Sequence, residues 1–96
     1  MKAFAAEFTG TFALTLAGAG ALCLDIATGG RLGPLGAALA YAAGAMTVFH
    51  SFPAAVGRFN PALTLAELAV QRIAVLRGVF AIAAQLLGAT CAGLFL

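Results

Sequence analysis

Of 96 residues, 64% are hydrophobic and 8% charged, whereas a soluble domain carries about a quarter charged residues. Too few polar side chains remain to coat a globule, which excludes both a soluble enzyme fold and a disordered chain. Five basic and three acidic residues, net +2, provide no basic stripe, which excludes nucleic acid as a partner. The composition describes a small integral membrane protein of one domain or less, with the lipid bilayer as its first partner.

The charges fall at Lys2, Glu7, Asp25, Arg31, Arg58, Glu67, Arg72 and Arg77 and leave long uncharged runs between them. A bilayer core takes about 20 apolar residues. The spacing therefore predicts three spanning helices, at roughly residues 3–24, 32–51 and 75–96. The first includes Glu7, which must lie near an interface or face protein rather than lipid. Lys2 before an apolar run containing Ala19-Gly20-Ala21 resembles a secretory signal, but a carboxylate inside the apolar region argues against cleavage. Each span carries a row of small residues at helical spacing: Ala6, Gly10, Ala13, Ala17 and Gly20; Gly33, Ala37, Ala40, Gly44 and Thr47; Gly78, Ala81, Gln85, Gly88 and Ala92. Such rows let helices approach closely in lipid, and Gln85 reads as interhelical glue.

Between the second and third predicted spans the pattern changes. Pro53 and Gly57 punctuate residues 51–59, and Asn60-Pro61 then starts a helix by a known mechanism. Asn60 serves as N-cap and Pro61 occupies the first helical position. About ten apolar residues follow before Gln71 and Arg72, a rise of ~15 Å, half of a ~30 Å hydrocarbon core. Two readings stand on the residues alone. One is an interfacial amphipathic helix after an ordinary turn. The other is a re-entrant loop and half-helix over about 52–71, with its positive N-terminal end and the Asn60 amide near the bilayer centre. That arrangement suits a neutral acceptor such as water and repels cations.

Cys23 and Cys91 lie near same-side ends of the first and third predicted spans, where a disulfide is geometrically possible, and are expected as buried free thiols. His50 is expected at the interface without a role. One histidine and two separated cysteines make no metal site, and no cofactor or catalytic constellation is legible. The basic residues favour a cytoplasmic N-terminus in the cell membrane. The bias is small enough to allow insertion in both orientations.

Three stretches carry a resemblance. Ala-Glu-Phe-Thr-Gly-Thr-Phe at residues 6–12, Phe-Asn-Pro-Ala-Leu-Thr at 59–64 and Ala-Ala-Gln-Leu-Leu-Gly-Ala at 83–89 resemble, in order, the first half of the aquaporin and aquaglyceroporin family. The resemblance implies an all-α fold of three spans plus one re-entrant Asn-Pro-Ala half-helix, so that residues 1–96 form one half repeat. It implies pore residues Asn60, Pro61, Ala62, Arg58 and Phe59, with Tyr41 as the aromatic of the second span, although an ungapped alignment from Asn60 lands on Ala40. Glu7 and Gln85 would be polar braces of the re-entrant loop rather than pore groups. The chain departs from the family pattern in carrying one repeat instead of two, and in having Arg58 where a histidine is usual. Leu63 follows the motif, as in first repeats.

The function expected is passive, non-enzymatic conduction of water or small neutral solutes such as glycerol. The pore would be completed by a second half repeat, in an antiparallel homodimer or a larger homo-oligomer. The rival expectations are a small dimeric proton-coupled exporter using Glu7, and a non-conducting fragment of a longer channel.

Overall fold

The computed structural model describes residues 2–52 and 59–96, and four helices account for most of them. They are α1 (Lys2–Ala27), α2 (Gly33–Ser51), α3 (Pro61–Ala69) and α4 (Val75–Phe95). Among the described residues there is no strand. At 1.5 Å per residue the helices measure ~39, ~28, ~13 and ~31 Å, within an envelope of 45 × 22 × 22 Å. Two of them, Phe4–Ala27 and Val75–Phe95, are long and apolar enough to cross a membrane. α2 occupies the predicted second span and carries Pro34, Tyr41, Thr47, His50 and Ser51; it is not one of these two.

The helix ends have local causes. α1 runs one turn past the predicted residue 24. It then closes with Gly29 N–H donating to Ile26 O and Gly30 N–H to Asp25 O, a Schellman motif that needs the positive φ of Gly29 (+70°). Asp25 is useful at that end: its Oδ1 accepts the N–H of Gly33 at 2.8 Å and ties the turn to the start of α2. α3 ends in the same motif, with Gln71 N–H on Leu68 O and Arg72 N–H on Glu67 O. Here Gln71 takes the left-handed position (φ 59°) that usually belongs to glycine.

α1 is the central helix, with α2 and α4 packed along it and α3 resting on α4. Contact is set by glycine. A methyl at Gly88 of α4 would meet the Phe8 carbonyl oxygen and lie 3.1 Å from Phe12 N. One at Gly44 of α2 would overlap Ala17 of α1, and one at Gly78 would come within 2.6 Å of Leu68. Further along, Gly20 of α1 lies beside Leu96, so α1 and α4 run parallel.

The distribution of side chains is the reverse of a soluble core. The largest fully buried side chains are Gln85 and Thr64, and the buried hydrophobic residues are mostly alanines. Large apolar groups such as Ile26, Leu39, Leu86, Leu87 and Leu94 are exposed. An outward-facing apolar surface of that extent belongs against lipid or another protein. The predicted small-residue row of α4 is buried throughout. In α1, Ala6 and Gly10 are buried and the rest of the row is half-buried. In α2 only Ala37 of the row is buried, and Thr47 faces outward, its hydroxyl donating to Ala43 O.

Candidate functional site

The chemistry gathers where α1, α3 and α4 meet. Asn60 begins α3 in an extended conformation (φ −151°, ψ 120°). Its Oδ1 accepts the backbone N–H of Ala62 at 2.8 Å, satisfying one of the helix's orphan donors. Pro61 follows in the first turn, where its missing N–H costs nothing. Asn60, with Ala62, is exposed, and among the described residues its Nδ2 has no acceptor. The end of α3 that carries the positive half of the helix dipole is thus presented with a free amide donor.

A buried polar chain fixes that end in place. Glu7 Oε1 accepts the backbone N–H of Phe59 at 2.8 Å and the Gln85 Nε2 donor at 3.1 Å. Gln85 Nε2 also donates to Thr64 Oγ1 at 3.0 Å, and that hydroxyl donates to Asn60 O at 3.1 Å. Glu7 is 4% exposed, while Thr64 and Gln85 are fully buried. One carboxyl group on α1 and one amide on α4 therefore set the height and the rotation of α3. Among the described residues, Thr11 Oγ1 and Gln85 Oε1 are buried without a hydrogen-bond partner.

Phe59 completes the anchor. Its φ of +60° is a left-handed conformation costly for an aromatic residue, and it is held from several sides. The N–H is bound by Glu7. The ring lies over Gly10, where any β-carbon would collide with it. Phe49 and Phe52 pack on it at centroid distances of 5.6 and 5.4 Å. At 3% exposure it is enclosed in protein.

Glu7, Phe59, Asn60 and Gln85 are thus brought together, with Pro61 and Ala62 beside them. Tyr41 is not part of this cluster. Its ring covers Gly18, three turns of α1 or ~16 Å beyond Glu7. Arg58 lies outside the described residues. Thr64 was not singled out from the sequence, although a lone hydroxyl in an apolar half-helix, four residues after the cap, was a usable signal. His50 Nδ1 lies 2.8 Å from Met46 O on the exposed end of α2. Both cysteines are free, but neither is buried as expected: Cys23 is exposed and Cys91 half-buried. Among the described residues no group of three His, Cys, Asp or Glu side chains could hold a metal ion.

An all-helical chain with membrane-length apolar helices, holding a short Asn-capped helix by buried carboxyl and amide groups, defines a class of membrane protein. Comparison with known proteins places it. Residues 1–96 match the major intrinsic protein family, and the chain belongs to that family. Among its relatives, it is 37% identical over 102 residues to "Aquaporin TIP2-1" of Zea mays. It is 38% identical over 107 residues to "Probable aquaporin TIP3-2" of Arabidopsis thaliana. Both matches cover the whole of this chain, but only 41% and 40% of the relatives, so the chain spans about two fifths of their length. No solved structure gives a significant match.

Proposed function

We propose that these residues form one half of a passive, non-enzymatic membrane channel for water or small neutral solutes such as glycerol. In this reading α1, α2 and α4 span the cell membrane as a single half repeat. Residues 52–71 re-enter from one side, and the N-terminus is cytoplasmic in at least one of two insertion orientations. The observation that carries the reading is the Asn60 end of α3. A capped helix N-terminus with an unengaged amide donor is fixed by Glu7 and Gln85 at the level of their helices' buried face. A donor and a positive dipole end favour a neutral acceptor and disfavour cations. Asn60, Pro61 and Ala62 line the path, with Tyr41 as the aromatic of α2, while Arg58, assigned to the same pore, lies outside the described residues. Glu7 and Gln85 brace the loop, and Phe59 belongs to the same anchoring.

At ~13 Å, α3 reaches through about half of a hydrocarbon core. A continuous path needs a second half-helix from the opposite side. A second copy related by a two-fold axis in the membrane plane supplies it, as in inverted-repeat transporters. Two copies inserted the same way would bring both half-helices in from one side.

Osmotic shock of vesicles reconstituted with the 96-residue chain tests the reading. Wild-type vesicles shrink faster than protein-free ones, whereas a folded Asn60→Ala variant is slower or leaks protons. Equal rates for all three would refute conduction and favour a non-conducting fragment. Proton-driven efflux that disappears in Glu7→Gln would replace the channel with an exporter.

A further inference from the structure

Thr28, Thr47, Ser51, Thr64 and Thr90 each donate their hydroxyl to the carbonyl oxygen four residues earlier, the usual recourse of a threonine or serine on a helix. Thr11 does not. It is 5% exposed, and its Oγ1 is buried with no partner of any kind. Gln85 Oε1 is in the same position on a side chain that is fully buried. The amide cannot turn over to relieve it. Glu7 Oε1 already accepts the Phe59 N–H and takes its second donor from Gln85 Nε2. Thr64 Oγ1, whose proton goes to Asn60 O, takes the same donor.

The two orphan oxygens belong to facing turns of α1 and α4. Thr11 lies one turn, ~6 Å, beyond Glu7 on α1, and Glu7 is bonded to Gln85. Three residues after Gln85, the backbone at Gly88 abuts the Phe8 carbonyl and Phe12 N, in the stretch of α1 that carries Thr11. The oxygens are not bonded to each other, but one water with a bond of about 2.7–2.8 Å on either side spans ~5.5 Å. We propose that a single water molecule is bound between Thr11 Oγ1 and Gln85 Oε1, which makes Thr11 a positioning residue for α3. The ligand follows from the donor set. An amide oxygen only accepts and a hydroxyl does both, so the ligand must donate to the first and pair with the second, as water does. Two neutral oxygens are too few for a hard metal cation, which takes about six or more. Buried waters occur about once in 27 residues, on polar groups otherwise unsatisfied. Immobilising one costs entropy, so the bridge lessens the penalty of the two oxygens without cancelling it. The site gives Gln85, and through it Thr64 and the Asn60 end of α3, a second tether to α1. It depends on the packing of α1 against α4 and not on conduction, so its failure leaves the channel reading intact.

Unfolding of the whole chain in mixed micelles reads the bridge by its sign. A hydroxyl with no partner is a burden, and Thr11→Val would then raise the folding constant. A hydroxyl that shares a water with Gln85 predicts instead a fall of about fivefold, no fall when Thr11→Val is made on a Gln85→Leu background, and a wild-type constant in Thr11→Ser. A crystal structure from a lipid mesophase identifies the bridging atom: the wild type shows one water within hydrogen-bond distance of both oxygens, and Thr11→Val lacks it. A raised or unchanged constant in Thr11→Val overturns the proposal, as does wild-type density in which Thr11 Oγ1 bonds directly to Gln85 Oε1. Should Thr11→Val not fold, the wild-type density decides alone, a water between the two oxygens supporting the proposal and none overturning it.

Discussion

Gln85→Leu removes the amide that joins three helices while preserving side-chain volume. It abolishes the donors to Glu7 Oε1 at 3.1 Å and to Thr64 Oγ1 at 3.0 Å. Hydrogen bonds between membrane helices average about 0.6 kcal/mol each and reach about 1.7, so the loss is ~1–3 kcal/mol. An opposing effect exists in the same side chain. Gln85 Oε1 is buried without a partner, and removing such a group restores about 1–3 kcal/mol. The single variant can therefore come out close to neutral even though the amide holds α3 in place. A double-mutant cycle with Thr64→Val separates the two effects. The orphan-oxygen contribution and the lost Thr64–Asn60 bond each appear on both parallel sides of the cycle and cancel, leaving the Gln85–Thr64 bond. Unfolding in mixed micelles, followed by circular dichroism while denaturing detergent is titrated in, should give a coupling of about 0.6–1.7 kcal/mol. A coupling indistinguishable from zero would refute the account of how α3 is held.

Five further outcomes follow from the geometry. Gly88→Ala drives a methyl into the Phe8 carbonyl oxygen and should cost about 1–3 kcal/mol in the same unfolding assay. Gly93→Ala meets nothing within 4 Å and should stay within about 0.5 kcal/mol. Asn60→Ala loses the Ala62 cap and about 1 kcal/mol. Gln71→Gly relieves the left-handed residue closing α3 and should raise stability by about 1 kcal/mol. For Glu7, the glutamine variant should fold and the leucine variant should not, because leucine leaves the Phe59 N–H buried without its acceptor and the Gln85 amide with Thr64 Oγ1 alone. Folding yield in detergent compares the two.

The elements were legible because the signals are local. Charge spacing bounded the long helices, and Asn60-Pro61 announced both the start of α3 and its cap. Thr28-Gly29-Gly30 carried the chemistry of a helix stop, yet the span prediction ended at the residue before the charge of Asp25 and missed the final turn of α1. The chemical environment of the site was less legible, because it depends on which turns face one another. Nothing in the neighbourhood of Phe59 says that its ring will lie on Gly10, forty-nine positions earlier, or that its φ will be positive. The Gln85–Thr64 bond likewise depends on α3 packing against α4, a contact no periodicity in nine residues specifies. Tyr41 was assigned by resemblance, and its place over Gly18 follows from the packing of α2 on α1 alone.

The central claim is that two half repeats in opposed orientations make one path, and sidedness tests it most directly. Thr28 is exposed in the turn between α1 and α2, and Thr28→Cys leaves the charge balance that governs insertion unchanged. In a background of Cys23→Ser and Cys91→Ala, intact cells are treated with an impermeant thiol reagent, and the remaining thiols are counted after lysis. An antiparallel homodimer predicts two populations of comparable size, one labelled before lysis and one only after it. Labelling of every copy from the same side would contradict the homodimer and require a different chain to supply the second half-helix.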